Sequence, residues 1–190
     1  MSSPPQIPLN DDKLIYLDLE FISRKYEEKF GTDPAAKISK QESASAGVRA
    51  FFANAGVTTQ ESRTYSITSR KMLHALWMHL NQNYPGFEEF ANYKGTQIAW
   101  MQGSLTLGEW RNSEGKEPGY EFYQLNHNSK RTAFLADNNY FAAGFSKIFG
   151  ASSALKGNIS IPVKCLTRIM WHVDDAKNYV ACPYVIIENN

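Results

Sequence analysis

The chain has 190 residues, 43% hydrophobic and 21% charged, with 20 Lys and Arg against 19 Asp and Glu for a net charge of +1. This length suits one domain with a full core, and the composition excludes a disordered or collagen-like chain. The balanced charge removes the basic excess that supplies non-specific affinity for nucleic acid, so any such affinity needs a local patch.

No apolar run approaches the roughly 18 residues that span a bilayer, and the opening MSSPPQIPLNDD lacks both a basic and an apolar leader segment; the expected location is the cytoplasm. The one departure from average composition is an aromatic fraction of 13%.

Residues 1–12 carry three prolines and two aspartates ahead of the first apolar run and read as a flexible arm, with a single domain over 13–190. Lys13 to Leu17 suits a short buried strand. Asp18 then stands at the N-cap of a helix with Leu19, Ile22, Tyr26 and Phe30 at helical spacing, closed by Gly31. Residues 32–66 are rich in Ser, Thr, Ala and Gly, and read as a long irregular loop around the patch VRAFFANA.

From Ser69 an amphipathic helix is predicted, with Met72, Leu73, Leu76, Trp77 and Leu80 on one stripe, ended by Pro85 and Gly86. TQIAWMQGSLTLGEW (96–110) reads as a half-buried strand or hairpin with Ala99, Met101, Leu105 and Leu107 on one parity. YEFYQLNH and RTAFLA form a hairpin about an Asn-Ser turn. Asp137 is placed as the cap of a further helix lined by Phe141, Phe145, Ile148 and Phe149 and stopped by Gly150.

The chain ends in a hairpin, ISIPVKCLTRIMWHV and YVACPYVII, with Ile159, Ile161, Val163, Cys165, Ile169 and Trp171 on one parity and Pro162 and Pro183 marking an edge or bulge. A turn centred near Ala176 sets Cys165 opposite Ile186 and Cys182 opposite Ile169. Both sulfurs then share a face about 13 Å apart, too far for a disulfide. Tyr120, Phe122, Trp171 and Tyr184 read as core. The element order predicts an α+β fold, an antiparallel sheet packed by two or three helices; the alternative is a half-open barrel curled around residues 138–149.

The sequence has no GxxxxGK[ST], no GxGxxG after a strand and no GxSxG, so no cofactor is expected. Ser153 and Lys156 form one SxxK without its companion motifs and read as linker. His74 and His79 lie about 140° apart around one helix, which does not suit a shared metal. The string His172-Val173-Asp174-Asp175 could bring an imidazole and carboxylates together at a hairpin tip, and equally reads as a solvated turn. Asp18 and Glu20 serve a helix start, although Asp18 with Glu109 or Glu121 could bind a divalent cation for phosphodiester hydrolysis.

Cations gather around the irregular loop: Lys37, Lys40, Arg49, Arg63, Arg70 and Lys71, interleaved with Phe51, Phe52 and Tyr65. Guanidinium contacts to phosphate combined with base stacking suit a nucleotide or a single strand. The bland alternative is a solvated loop anchored by its phenylalanines.

The stretches IYLDLEFISRKYEEKFG, QESRTYSITSRKML and ISIPVKCLTRIMW resemble small uncharacterised bacterial proteins grouped as a domain of unknown function. The resemblance supplies no catalytic residues; it implies a bacterial or phage origin and, by analogy, a defence-associated setting.

The reading is a non-enzymatic binding or regulatory protein that engages a protein partner or nucleotide-like ligand, with nucleic acid admitted through a local patch, by way of Arg49, Phe51, Phe52, Arg63, Tyr65, Arg70 and Lys71. One alternative is a metal-dependent phosphodiester hydrolase using Asp18, Glu109, His172 and Asp174. The other is an oligomer-forming structural protein.

Overall fold

A computed structural model describes residues 9–31, 67–87, 96–110, 120–142, 144–145, 148, 159–173 and 178–189. The side chains of Ile67, Glu109, Trp110, Tyr120, Glu121 and Val173 are not described. The fold is α+β. Its strands are β1 (Leu14–Leu17), β2 (Gln97–Trp110), β3 (Tyr120–His127), β4 (Lys130–Phe134), β5 (Ile161–Val173) and β6 (Asn178–Glu188). Its α-helices, among the described residues, are α1 (Leu19–Phe30) and α2 (Ile67–Asn83). No helix among these residues is long and apolar enough to cross a membrane.

Local signals place the helices as expected. Asp18 is extended and accepts a hydrogen bond from the Phe21 amide at 2.9 Å, satisfying an otherwise orphaned donor at the first turn of α1. Gly31, at φ 63°, ends the helix in the left-handed region that glycine enters without strain. The buried stripe of α1 is Phe21 and Ile22, whereas Phe30 is exposed and leans on Tyr26. In α2, Met72, Leu73, Leu76, Trp77 and Leu80 are all buried.

The sheet departs from the expected form in two respects. It is mixed, because β4 runs parallel to β6 while the other pairings are antiparallel. It is also closed: the order β6-β4-β3-β2-β5 returns to β6, forming a five-stranded barrel rather than a half-open one. The β2-β3-β4 meander followed by a long connection that lays β5 beside β2 is a Greek key. Strand β2 is long enough to pair with β5 over Gln97–Leu105 and with β3 over Ser104–Trp110, carrying the sheet around the barrel. Gly103 stands where the two pairings meet. A Cβ there would lie 2.2 Å from the Asn126 carbonyl oxygen, so the backbones approach more closely than a side chain permits.

Two apolar clusters divide the molecule. One fills the barrel with Ala99, Met101, Leu105, Leu125, Cys165 and Ile169 among others. Phe87 packs edge-on against Tyr179, with centroids 5.2 Å apart. Phe141 meets Tyr16 and Tyr123 at 4.8 and 4.6 Å. The second cluster lies outside the barrel, where α1, α2 and β1 cover Trp100, Leu166, Tyr184 and Val185. Fully burying a side chain such as Phe21 contributes about 1.5–3 kcal/mol, which holds this layer to the wall.

Where a helix is expected after Asp137, the described residues form a short 3-10 turn, Asn138–Tyr140, with 3-10 conformation again at Phe145 and Ile148; Phe149 and Gly150 lie outside the described residues. Phe141 is extended and bridges Tyr16, and Ala142 donates to the Ile15 carbonyl, so pairing with β1 interrupts the helical pattern. The aromatic pattern served burial all the same, since Phe141 is buried and Phe145 and Ile148 pack on the barrel core.

In the terminal hairpin, Cys165 pairs with Ile186 as expected, but Cys182 pairs with Arg168 and not with Ile169. Two register shifts account for this. One inserts Tyr184 beside Pro183 on β6, and the other inserts Met170 on β5. Each extra residue reverses the inside-outside alternation. Cys165 therefore lies within the barrel and Cys182 is half-buried on the outside, both as free thiols. Trp171 likewise turns outward and is 48% exposed.

Candidate functional site

The cluster of the helical layer contains no residue of β3 or β4, and on the outer side of these strands Gln124 and Ala133 are buried while Asn126 and Arg131 are exposed. Asn128 and Ser129 join the two strands in a two-residue turn with φ of 44° and 64°, and thereby fix the register. Alternation along β3 sends Tyr123 and Leu125 into the barrel and sets Phe122, Gln124 and Asn126 along one outward line. Register then places Thr106 beside Gln124 on the β2 side, and Ala133 and Arg131 beside Gln124 and Asn126 on the β4 side. Continuing across β6, Arg131 pairs with Asn178 and Ala133 with Val180, and Val180 pairs with Trp171 of β5.

These side chains are tied together. Gln124 Nε2 donates to Asn126 Oδ1 at 2.7 Å, and Asn126 Nδ2 reaches Thr106 Oγ1 at 3.4 Å. Arg131 Nε donates to Asn178 Oδ1 at 3.1 Å. Gly108 makes room for this arrangement, because a Cβ at that position would lie 2.5 Å from Gln124 Oε1. The wall thus carries an ordered amide ladder, a half-buried phenyl ring and an exposed arginine, with Trp171 at its far edge.

The residues expected to bind ligand are placed elsewhere or lie outside the described part. Arg49, Phe51, Phe52, Arg63 and Tyr65 are outside the described residues. Arg70 and Lys71 sit in the first part of α2, within the helical layer, and Arg70 faces Asp11 at 3.9 Å. His74 of the same helix contacts Asp11 at 2.9 Å.

The carboxylate and histidine set for a metal is dispersed. The Asp18 amide donates to the Tyr184 carbonyl, whereas His172 pairs with Tyr179, five residues along β6 or about 17 Å away. Glu109 pairs with Glu121 in register, and Asp174 lies outside the described residues. Among the described residues, no three His, Cys, Asp or Glu side chains come together as a metal site. Burial raises the Asp18 carboxyl above its ordinary value, against the pull of its bond from Phe21 and with the Glu20 charge adding to the rise.

Phe122 and Trp171, expected in the core, are half-buried and exposed respectively, and no sequence motif marks Gln124, Asn126 or Arg131. The alternation in YEFYQLNH carried the signal, since its outward parity is amide-rich. No protein-family model matches the chain, and a search of curated proteins finds no significant relative.

Proposed function

We propose that the protein is a non-enzymatic binding or regulatory protein of a bacterial or phage cytoplasm that takes single-stranded nucleic acid on the outer wall of its barrel. The carrying observation is the line of Phe122, Gln124 and Asn126, flanked by Arg131. It combines a half-buried ring, the exposed Asn126 amide for base edges and a guanidinium for phosphate. From Phe122 to Asn126 along β3 is four residues, about 13 Å, which suits an extended strand better than one mononucleotide.

A five-stranded Greek-key barrel is also the architecture of the oligonucleotide- and oligosaccharide-binding fold, whose ligands cross the second and third barrel strands, here β3 and β4. That likeness is one of architecture and adds only support. The Arg49 and Arg63 segment belongs to the same proposal as a second source of phosphate contacts.

The test is a fluorescence-anisotropy titration of a labelled single-stranded dodecamer in low salt. Binding that is lost in Arg131→Glu, with unchanged thermal unfolding, supports the reading; a flat titration with the parent protein overturns it. Arg49→Ala with Arg63→Ala measures the contribution of the second segment. Leu135 and Trp171, 53% and 48% exposed, favour a protein partner as the second reading, which a flat titration would leave standing.

A further inference from the structure

A single extra residue in β5 turns a tryptophan out of the barrel. Ile169 faces inward and pairs with Ala181; Met170 is then inserted, so that Trp171 pairs with Val180 on the outer side. Without the insertion Trp171 would keep the parity of Ile169 and lie inside. Bulges are enriched beside functional sites because they re-aim a side chain in this way. The indole is 48% exposed, and among the described residues no ring packs on it and nothing accepts from its Nε1.

The same outer line carries a guanidinium. Arg168 pairs with Cys182, is exposed and makes no ion pair among the described residues. Val180 and Cys182 are two residues apart on β6, so Trp171 and Arg168 stand about 7 Å apart on one face. That is the scale of one nucleotide, from a base to the phosphate beside it. The outward positions of β4, of β6 from Asn178 to Cys182 and of β5 from Arg168 to Trp171 include Arg131 and Arg168 and no carboxylate, so this face favours an anion. An open indole beside a guanidinium recognises a flat face and an adjacent anionic group, not the edge of a particular base. Unpaired nucleotides offer that combination at every step, whereas a duplex keeps its base faces stacked.

We propose that Trp171 is a base-stacking residue and Arg168 its phosphate contact, forming a subsite for single-stranded nucleic acid that is indifferent to base identity. The inference rests on the single-strand reading above and deepens it. By strand register the subsite lies about 12 Å from Arg131, a distance that a dodecamer spans.

Anisotropy titrations with labelled (dT)12 and with an abasic deoxyribose-phosphate strand of the same length test it. Trp171→Ala is expected to weaken (dT)12 binding about tenfold, in line with the loss of one stacked base, and to leave the abasic strand unchanged. Trp171→Phe keeps most of the (dT)12 affinity. Arg168→Ala weakens both strands alike and lowers the slope of log affinity against log salt by about 0.7. A Trp171→Ala variant that binds (dT)12 as the parent does, or that loses both strands equally, overturns the inference and leaves the single-strand reading standing; so does an Arg168→Ala variant with an unchanged salt slope. Failure of the parent protein to bind (dT)12 overturns both.

Discussion

The ammonium of Lys164 lies 4.4 Å from the ring centroid of Trp100, on the outer side of β5. The same nitrogen is 5.8 Å from the Trp77 ring and donates to Asn81 Oδ1 at 2.7 Å. Burial holds its pKa below the ordinary lysine value. Trp77 and Trp100 meet edge to face at 5.6 Å, and Trp100 Nε1 donates to the Leu80 carbonyl, so one lysine closes the seam between α2 and the barrel.

Lys164→Ala is therefore expected to destabilise the fold by about 1–2 kcal/mol, from the lost bond to Asn81, the cation–π contact and the packing of the stem. Lys164→Met restores the stem packing and recovers part of that loss. Denaturant midpoints, with tryptophan fluorescence as the probe, measure both.

Thr167 is fully buried, and its Oγ1 has no hydrogen-bond partner among the described residues. An unmet buried hydroxyl costs about 1–3 kcal/mol, so Thr167→Val, which keeps the shape, is expected to leave stability unchanged or raise it by about 1 kcal/mol. A clear loss of stability in urea would show that the hydroxyl has a partner.

The two glycines of β2 predict opposite outcomes. Gly103→Ala drives a Cβ into the Asn126 backbone, which cannot yield without breaking the β2–β3 pairing, and costs about 2 kcal/mol or more. Gly108→Ala meets only the end of the Gln124 side chain, which can rotate away. That variant keeps its stability within about 1 kcal/mol and loses the bond from Gln124 to Asn126. Thermal unfolding of the two variants separates the two outcomes.

Asp18 gives a pH dependence of definite sign. Its folded pKa is raised from 3.8 by burial, so the folded state holds the proton more tightly than the unfolded chain. The resulting stabilisation is complete below 3.8 and is lost as pH rises through the folded value. Asp18→Asn keeps the cap on Phe21 and flattens the decline on the alkaline side of 3.8. Asp18→Ala loses the cap as well, at about 1 kcal/mol. Melting temperatures between pH 3 and 7 test this; a decline that persists in Asp18→Asn belongs to another group.

The thiols should differ in reactivity. Cys165 is enclosed in the barrel and burial pushes its pKa far up, while Cys182 is half-buried on the outer side, where Arg168 partly offsets the same effect. A thiol reagent is expected to label Cys182 alone in the native protein and both residues after denaturation. Rapid native labelling of both would contradict the closed barrel.

Features specified by residues close in sequence were legible without a structure. The Asp18 cap and Gly31 stop bound α1, the stripe from Met72 to Leu80 marks α2, and Asn128-Ser129 sets the β3–β4 hairpin. Each is a contact or conformation within a few residues, which the chain specifies locally.

What needed the tertiary structure depends on partners distant in the chain. Closure of the barrel rests on the parallel pairing of Arg131–Phe134 with Asn178–Ala181, and no local pattern announces it. The pairing of Phe141 with Tyr16 overrode a helical pattern. The single extra residues Met170 and Tyr184 reversed which side of the wall Trp171 and Cys182 occupy, because alternation carries no memory of a bulge. The outward wall of Phe122, Gln124, Asn126 and Arg131 was present in the sequence as a parity. Only the closed barrel, with one wall covered by helices, decided that this parity faces outward.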